Sequence, residues 1–374
     1  MQVRSSVFCR FVTRTVTGFT VLAFAASAFA SDWSRGVSYY AKGDYQSALA
    51  EFQDIARERP ETAGAWYYIG LCEFKMKRYK RADLPLCHAV DLLQAQTPDS
   101  ADLEGAWYTL GLSRYLLNDY TGAVDPLKNY LEHTAKAGRK VDASARRALG
   151  RSYFFLEKYD EALALLGSTP PGGDQPKEDA YDRYCAGVIY FKRGDDDSAA
   201  AALQDALKAN QGDLESLTLL TQVLLRKAGK SRTDADWQSA ASSAEQLVAA
   251  KDDLDNENLL GRAYFGGRQF DKAVGPLEKV AKAKTDDGQA WMLYGIALSR
   301  SGQSRKAMEA LEITIQITPD SLPALSELAY VYESDKQYQQ ALRIYEKVYA
   351  ASGSNDPSIK ESIDRVKALA AQQH

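Results

Sequence analysis

Gly36 is followed twelve residues later by Ala48, and the chain repeats this spacing in Gly70/Ala82, Gly111/Ala123, Gly150/Ala162, Gly187/Ala199, Gly261/Ala273, Gly295/Ala307 and Ala329/Ala341. The step between leading residues is 34 from Gly36 to Gly70, from Gly187 to Thr221, from Gly261 to Gly295 and from Gly295 to Ala329; the other steps are 37 to 41 and hold insertions. Whole phrases recur with it: AWYYIGLCEFKMKRYKRADLPL from Ala65 returns as AWYTLGLSRYLLNDYTGAVDPL from Ala106 and as AWMLYGIALSRSGQSRKAMEAL from Ala290. Within a unit the apolar and small residues fall three and four apart (Trp66, Ile69, Gly70, Glu73, then Ala82, Leu86, Ala89), which is the spacing of one helix face. Short breaks such as Gly43-Asp44-Tyr45 and Asn118-Asp119-Tyr120 force the two helices of a unit to run antiparallel. The Gly and the Ala then sit where the two backbones cross closest. The aromatic after the break (Tyr45, Tyr79, Tyr120, Tyr159, Phe270, Tyr338) covers the end of the pair. One helix pair cannot bury its own apolar faces, so such pairs stack into a solenoid.

This pattern resembles the tetratricopeptide repeat (TPR) family. Trp107, Leu110, Gly111 and Ala123 match its signature, as do Trp291, Gly295, Ala307 and Pro319. The resemblance covers essentially the whole chain after its first thirty residues, as about nine units, and implies an all-α, right-handed superhelical α-solenoid. The expected organisation is units one to four over 31–167, a loop or hinge over 168–179, units five to nine over 180–353, and a C-terminal capping helix and tail over 354–374. The sixth unit departs most: Thr221 replaces the Gly, Gly229–Asp236 lengthens its turn, and Ala240 takes the second small slot. Pro85, Pro126 and Pro276 each follow the small Ala by three and are expected near a helix start, where a missing N–H costs little.

Residues 1–30 have the layout of a secretory signal peptide: Arg4, Arg10 and Arg14, an apolar run from Val16 through Ala26, then Ala28-Phe29-Ala30. The expected location is the periplasm, with the mature chain starting at Ser31; an uncleaved N-terminal anchor is the alternative. The formal net charge of −4 becomes three units more negative without those arginines, which argues against a nucleic-acid partner. No later apolar run is long enough to span a bilayer. Cys72, Cys87 and Cys185 are too few for a disulfide scaffold; Cys72 and Cys87 form the one candidate bridge, and otherwise act as small apolar residues.

Little in the sequence points to catalysis or to a cofactor. His88, His133 and His374 lie far apart without partners at metal-ligand spacing. Asp195-Asp196-Asp197 is a turn's charge run, and Gly229-Lys230-Ser231 lacks the leading Gly and the preceding strand of a phosphate loop. The chain is expected to be a non-catalytic scaffold or assembly factor. The resemblance implies that the first helix of each unit lines a concave groove. Positions three before and four after each leading Gly lie on one side of that helix. In the first five units they select Trp33, Tyr40, Tyr67, Phe74, Tyr108, Tyr115, Phe154, Tyr184 and Phe191, with Phe155 and Tyr181 nearby, whereas later units offer Thr218, Leu225, Asn258, Phe265, Met292, Ser299, Ser326 and Glu333. Rings in a groove suit a peptide or protein partner with apolar anchors. The interleaved Lys75, Arg147, Arg151 and Lys192 are expected to meet its carboxylates. The family's clamp for chaperone C-termini would need Lys and Asn where Tyr67 and Leu71, or Tyr108 and Leu112, stand. An envelope complex is one expected setting, and a glycan-binding solenoid is the alternative function.

Overall fold

The computed structural model describes residues 33–167 and 176–372. The signal segment and most of the expected loop, 168–175, lie outside them. The described residues form nineteen helices and no strand. The first four units pair α1 (Trp33–Ala41) with α2 (Tyr45–Glu58), α3 (Ala63–Lys75) with α4 (Tyr79–Gln96), α5 (Ala101–Leu116) with α6 (Tyr120–Lys136), and α7 (Ala143–Phe155) with α8 (Tyr159–Leu166). Units five to seven pair α9 (Pro176–Arg193) with α10 (Asp196–Ala209), α11 (Leu214–Ser231) with α12 (Asp234–Ala250), and α13 (Leu254–Gly266) with α14 (Phe270–Ala283). The last two pair α15 (Gly288–Arg300) with α16 (Ser304–Ile317) and α17 (Leu322–Ser334) with α18 (Tyr338–Ala351). A final helix, α19 (Pro357–Ala371), packs Ile363 and Val366 against Ala341 and Tyr345 of the last pair. Helix α9 starts at Pro176, so the last four residues of the expected loop, 176–179, are already helical.

Each helix touches the next in sequence. First helices also touch first helices (α3 with α5, α5 with α7, α7 with α9, α9 with α11, α11 with α13, α15 with α17), and no two successive second helices approach comparably. A stack held closer on one side curves toward that side, so the first helices line its inner face.

The repeated Gly has a more specific job than the sequence suggests. The twelfth residue on, such as Ala82, Ala123 or Ala273, is fully buried, but the Gly faces the sixteenth. A Cβ on Gly70, Gly111, Gly261 or Gly295 would come within 2.4, 2.5, 2.7 and 2.8 Å of a side-chain carbon of Leu86, Leu127, Leu277 and Leu311 respectively. Gly36 stands in the same relation to Phe52. The missing side chain therefore makes room for one large apolar residue, four positions beyond the Ala on the same face.

In the sixth unit the exchange is reversed. Thr221 fills the Gly slot, fully buried, and its hydroxyl bonds the Leu217 carbonyl and the Ser243 Oγ at 2.8 Å each. Ala244, four beyond Ala240, then stands where other units have their large residue. The extra length of this unit is helical. Helix α11 runs ten residues past Thr221 where α5 runs five past Gly111, and α12 takes six residues to reach Ala240 where α6 takes three to reach Ala123. Trp237 in the added turn covers Gly266 of the next unit, where a Cβ would lie 2.3 Å from its ring.

The turn within a unit is set by its backbone. The seventh residue after the leading Gly has positive φ whatever its identity: Gly43, Lys77, Asn118, Glu157, Gly194, Arg268, Gly302 and Lys336. The following N–H reaches back five residues, as from Arg78 to the Glu73 carbonyl at 2.8 Å, which closes the helix in a Schellman-type stop. The prolines lie deeper than expected, each at the seventh position of its helix. Their missing N–H frees a carbonyl one turn back. For Pro126 that carbonyl is Gly122, and Arg114 Nη1 donates to it at 3.1 Å.

Candidate functional site

The candidate groove residues fall into two rows on the first helices. The row three before the Gly reaches into the next unit. Trp33 lies against Gly64, where a Cβ would meet its ring at 2.8 Å, and the Tyr67 hydroxyl lies against Gly105, where a Cβ would meet it at 2.0 Å. Tyr108 packs on Tyr130 with ring centroids 5.2 Å apart, and its hydroxyl bonds toward Ser144, which occupies the slot of Gly64 and Gly105. Burial, more than any neighbouring charge, raises the hydroxyl pKa of Tyr67 and takes that of Tyr108 to about 12. Tyr184, stacked beside Tyr181, lines a cleft of about 580 Å³ with Leu214, Glu215 and Thr218.

The row four after the Gly packs within its own unit. Tyr40 meets Tyr45 at 5.4 Å, Phe74 meets Tyr79 at 5.5 Å, and Tyr115 meets Tyr120 at 6.0 Å between centroids. The post-turn aromatic is thus a shelf for the ring on the first helix. Phe154 meets Phe155 edge-on at 5.3 Å, and the Arg226 guanidinium lies 3.8 Å from the Phe191 centroid. Both rows are partly covered rather than free.

The candidate cations behave differently from expectation. Arg147 and Arg151, expected to meet a partner's carboxylates, are buried and spent within the chain. Arg147 pairs with Asp179 and donates from Nε to Asp182 at 3.1 Å. Arg151 donates from Nε to Asp182 and from Nη1 to Glu178, both at 2.7 Å, and from Nη2 to the Glu178 carbonyl at 2.9 Å. Lys192 donates to the Tyr159 hydroxyl at 2.8 Å and pairs with Glu157 at 3.6 Å. Lys75 is exposed and makes no ion pair among the described residues. The acids that take Arg147 and Arg151 belong to the first turns of α9, about one unit ahead: Glu178 and Asp179 lie within the segment that the sequence assigns to a loop, and Asp182 just beyond it.

One position further, at the fifth after the Gly, stand Phe155, which the sequence marked only as lying near the groove, and Leu116, which it missed. Leu116 is 46% exposed and Phe155 42% exposed, large for apolar side chains, and Phe155 stacks on Tyr120 at 4.3 Å. Leu116 lines a cleft of about 270 Å³ with Leu112, Tyr115, Ser144, Ala148 and the Arg151–Glu178 pair. One signal pointed there: the fifth slot is Ala41 and Lys75 in the first two units, then apolar and large in the next two.

The other chemistry stays quiet. Cys72 and Cys87 are not bridged; Cys72 and Cys185 are buried free thiols, and burial takes both pKa values to about 12. No group of His, Cys, Asp and Glu able to hold a metal occurs among the described residues, and no helix there is long and apolar enough to cross a membrane.

Tetratricopeptide repeat family models match residues 34–84, 258–322 and 324–357, which are the helix pairs of the first and the last units. Among curated proteins the chain is 22% identical to tetratricopeptide repeat protein 37 of Xenopus laevis over 87% of its own length and 18% of that protein's. It is 23% identical to DnaJ homolog subfamily C member 3 of Gallus gallus over 49% of its own length and 32% of that protein's. The chain therefore spans well under two thirds of these relatives. Among solved structures, YrrB, described as a TPR protein with an unusual peptide-binding site, matches 55% of this chain and 97% of its own at 16% identity and a TM-score of 0.46. MamA from Desulfovibrio magneticus RS-1 matches 49% and 98% at 20% identity and a TM-score of 0.42. The 34-residue period, the Gly-to-large-residue packing and the repeat models fall on the same helix pairs, so residues 34–84, 258–322 and 324–357 are tetratricopeptide repeats.

Proposed function

We propose that this chain is a non-catalytic scaffold or assembly factor of the bacterial periplasm that holds a peptide or protein partner along its first helices, in an envelope complex. The periplasmic setting rests on the signal-like pattern of residues 1–30. The observation that carries the binding reading is the pair Leu116 and Phe155. They repeat one slot in adjacent units, both stay exposed, and a cleft opens beside Leu116. Apolar side chains presented in register on a rigid face, with a cleft beside one of them, suit the side chains of an apolar peptide segment. The glycan alternative has less support. The rings lie on the first helices, while the amide-rich cleft, lined by Gln204, Gln238 and Gln246, lies between α10 and α12 and holds no ring.

The test is site-specific crosslinking in the native host's periplasmic fraction with a photoreactive residue at Leu116, on protein whose mass begins at Ser31. One discrete partner should be captured, and Leu116→Ser/Phe155→Ser should weaken the purified pair at least tenfold. The matched Asn258→Ala/Ser326→Ala change in later units should leave it within twofold. Equal weakening by both pairs of changes would place the binding surface elsewhere.

A further inference from the structure

The segment Lys75–Arg81 reads KMKRYKR, five cations in seven residues with no acid. It spans the turn between α3 and α4. Arg78 is engaged, 3.7 Å from Glu73 and 3.4 Å from the Gln46 side chain. Lys75, Lys77, Lys80 and Arg81 are exposed and make no ion pair or side-chain hydrogen bond among the described residues. This contrasts with the rest of the stack, where cations join successive units: Arg114 to Asp83, Arg193 to Asp160, Arg226 to Asp196 and Arg300 to Glu327. The nearest acids cannot cancel the patch, because Asp83 is held by Arg114 and Glu73 by Arg78.

One turn further along α4 stands Leu84, 71% exposed. Its slot, fourteen after the leading Gly, is exposed in every unit of plain register. The other occupants are Ala50, Asp125, Ala164, Ala201, Gly275, Glu309 and Arg343. Unit two alone places a large apolar side chain there. Lys80 and Arg81 precede Leu84 by four and three residues, so all three share one outward helix face. The apolar stripe that stabilises α4 (Ala82, Leu86, Ala89, Leu93) points the other way, into the stack. A helix that lies in a lipid interface needs its apolar stripe outward, so one leucine among cations fits a protein partner better than a membrane. Covering that leucine is favourable for whatever partner docks there, and the unpaired cations around it set the sign of the partner.

We propose that the outer face of α4, with Leu84 ringed by Lys77, Lys80 and Arg81 and bounded by Lys75, is a second docking surface that takes an acidic segment of a partner protein carrying one apolar side chain between its carboxylates. This surface is separate from the first-helix groove. The cations supply encounter rate and sign, and Leu84 supplies the contact that distinguishes one acidic segment from another.

The experiment titrates a fluorescent peptide of alternating Asp and Glu around a central Leu into the full chain at low salt, beside the same peptide with Ser for Leu. The Leu peptide should bind at least fivefold tighter than the Ser peptide. Lys80→Glu/Arg81→Glu should weaken it at least tenfold. Leu84→Ala should erase the difference between the two peptides, while Leu116→Ser/Phe155→Ser, on the groove, leaves it intact. All these positions are exposed, and circular dichroism confirms folding. Equal affinity for the two peptides, or insensitivity to the charge reversals, overturns the proposal. Binding to phosphatidylglycerol vesicles that is lost in Lys80→Glu/Arg81→Glu, with no binding of the peptide, overturns it in favour of a membrane face.

Discussion

Two joints of the stack use the same slot in opposite ways. Between units two and three, the residue three before the Gly is Tyr67, and its hydroxyl end sits on Gly105. Between units four and five the same slot is Arg147, which sits in the carboxylates of Asp179 and Asp182 together with Arg151. The first joint is a ring on a bare backbone. Its contribution is spread over many weak contacts, and it depends on nothing but shape. The second is a buried network with Asp182 fully enclosed. Removing any one member strands the others, so it is cooperative and intolerant. The difference shows that a repeat can keep its geometry while changing what holds it together. The joint that became ionic is the one beside residues 168–175.

The largest expected effect is Asp182→Ala, which leaves two buried guanidiniums facing each other. It should cost about 3–5 kcal/mol in urea unfolding and raise hydrogen exchange in α9 before α3. A loss of under about 1 kcal/mol would mean that Asp179 and Glu178 can carry both arginines, and that the ionic joint is no more fragile than the aromatic one.

A smaller effect is expected at the aromatic joint. Gly105→Val drives a side chain into the Tyr67 hydroxyl and should cost about 1–3 kcal/mol. In a Tyr67→Ala background most of that cost should vanish, because the colliding group is gone. A cost that persists there would show that the introduced valine clashes with something other than the ring, and the seat would be misassigned.

The smallest effect sharpens the comparison through pH. At the C-terminal joint Arg365 donates to Glu333 at 2.7 and 3.1 Å, and Tyr345 donates to it at 3.0 Å. The Arg365 hydrogen bonds hold the Glu333 carboxyl below the ordinary glutamate value. A carboxyl lowered by folding stabilises the fold fully above the ordinary value, and that contribution is lost as pH falls through the lowered one. Arg365 is half exposed, so the gain is below about 1 kcal/mol. The gap in urea midpoint between the parent and Glu333→Gln should therefore be present near neutrality and narrow as pH falls below the ordinary glutamate value. A gap unchanged by acid would assign the loss to packing, as at the aromatic joint.

These joints also show what the sequence could and could not tell. The repeat was legible because it is written in residue types: small at one position, small again twelve later. The seats of the rings were not, because they depend on which residue of the next unit arrives six before its own Gly: Gly64, Gly105 or Ser144. The fate of Arg147 and Arg151 was hidden for the same reason. Their acids lie about one unit ahead, next to a Pro- and Gly-rich stretch that looked like a break and was in part a helix. The positive-φ turn left no compositional trace, since Lys, Asn, Glu, Arg and Gly all occupy it. The candidate site was therefore legible as a face, while which of its side chains stay open was not: besides Trp33 they are Leu116 and Phe155, one position beyond the row four after the Gly.

The sixth unit carries a consequence of its own. Its helices gain five residues at the end of α11 and three at the start of α12, while the turn between them shortens from three residues to two. Growth by close to a whole turn preserves phase: each added residue rotates the helix by about 100°, so the three added before Ala240 return α12's buried face to within about 60° of its starting direction. Growth by two residues would aim α12's buried face sideways by more than a right angle. Length in such a stack is thus quantised. Where a unit lengthens by one quantum it stands about 5 Å proud of its neighbours at the turn edge, a step that an evolving partner can grip without any change to the joints beneath it.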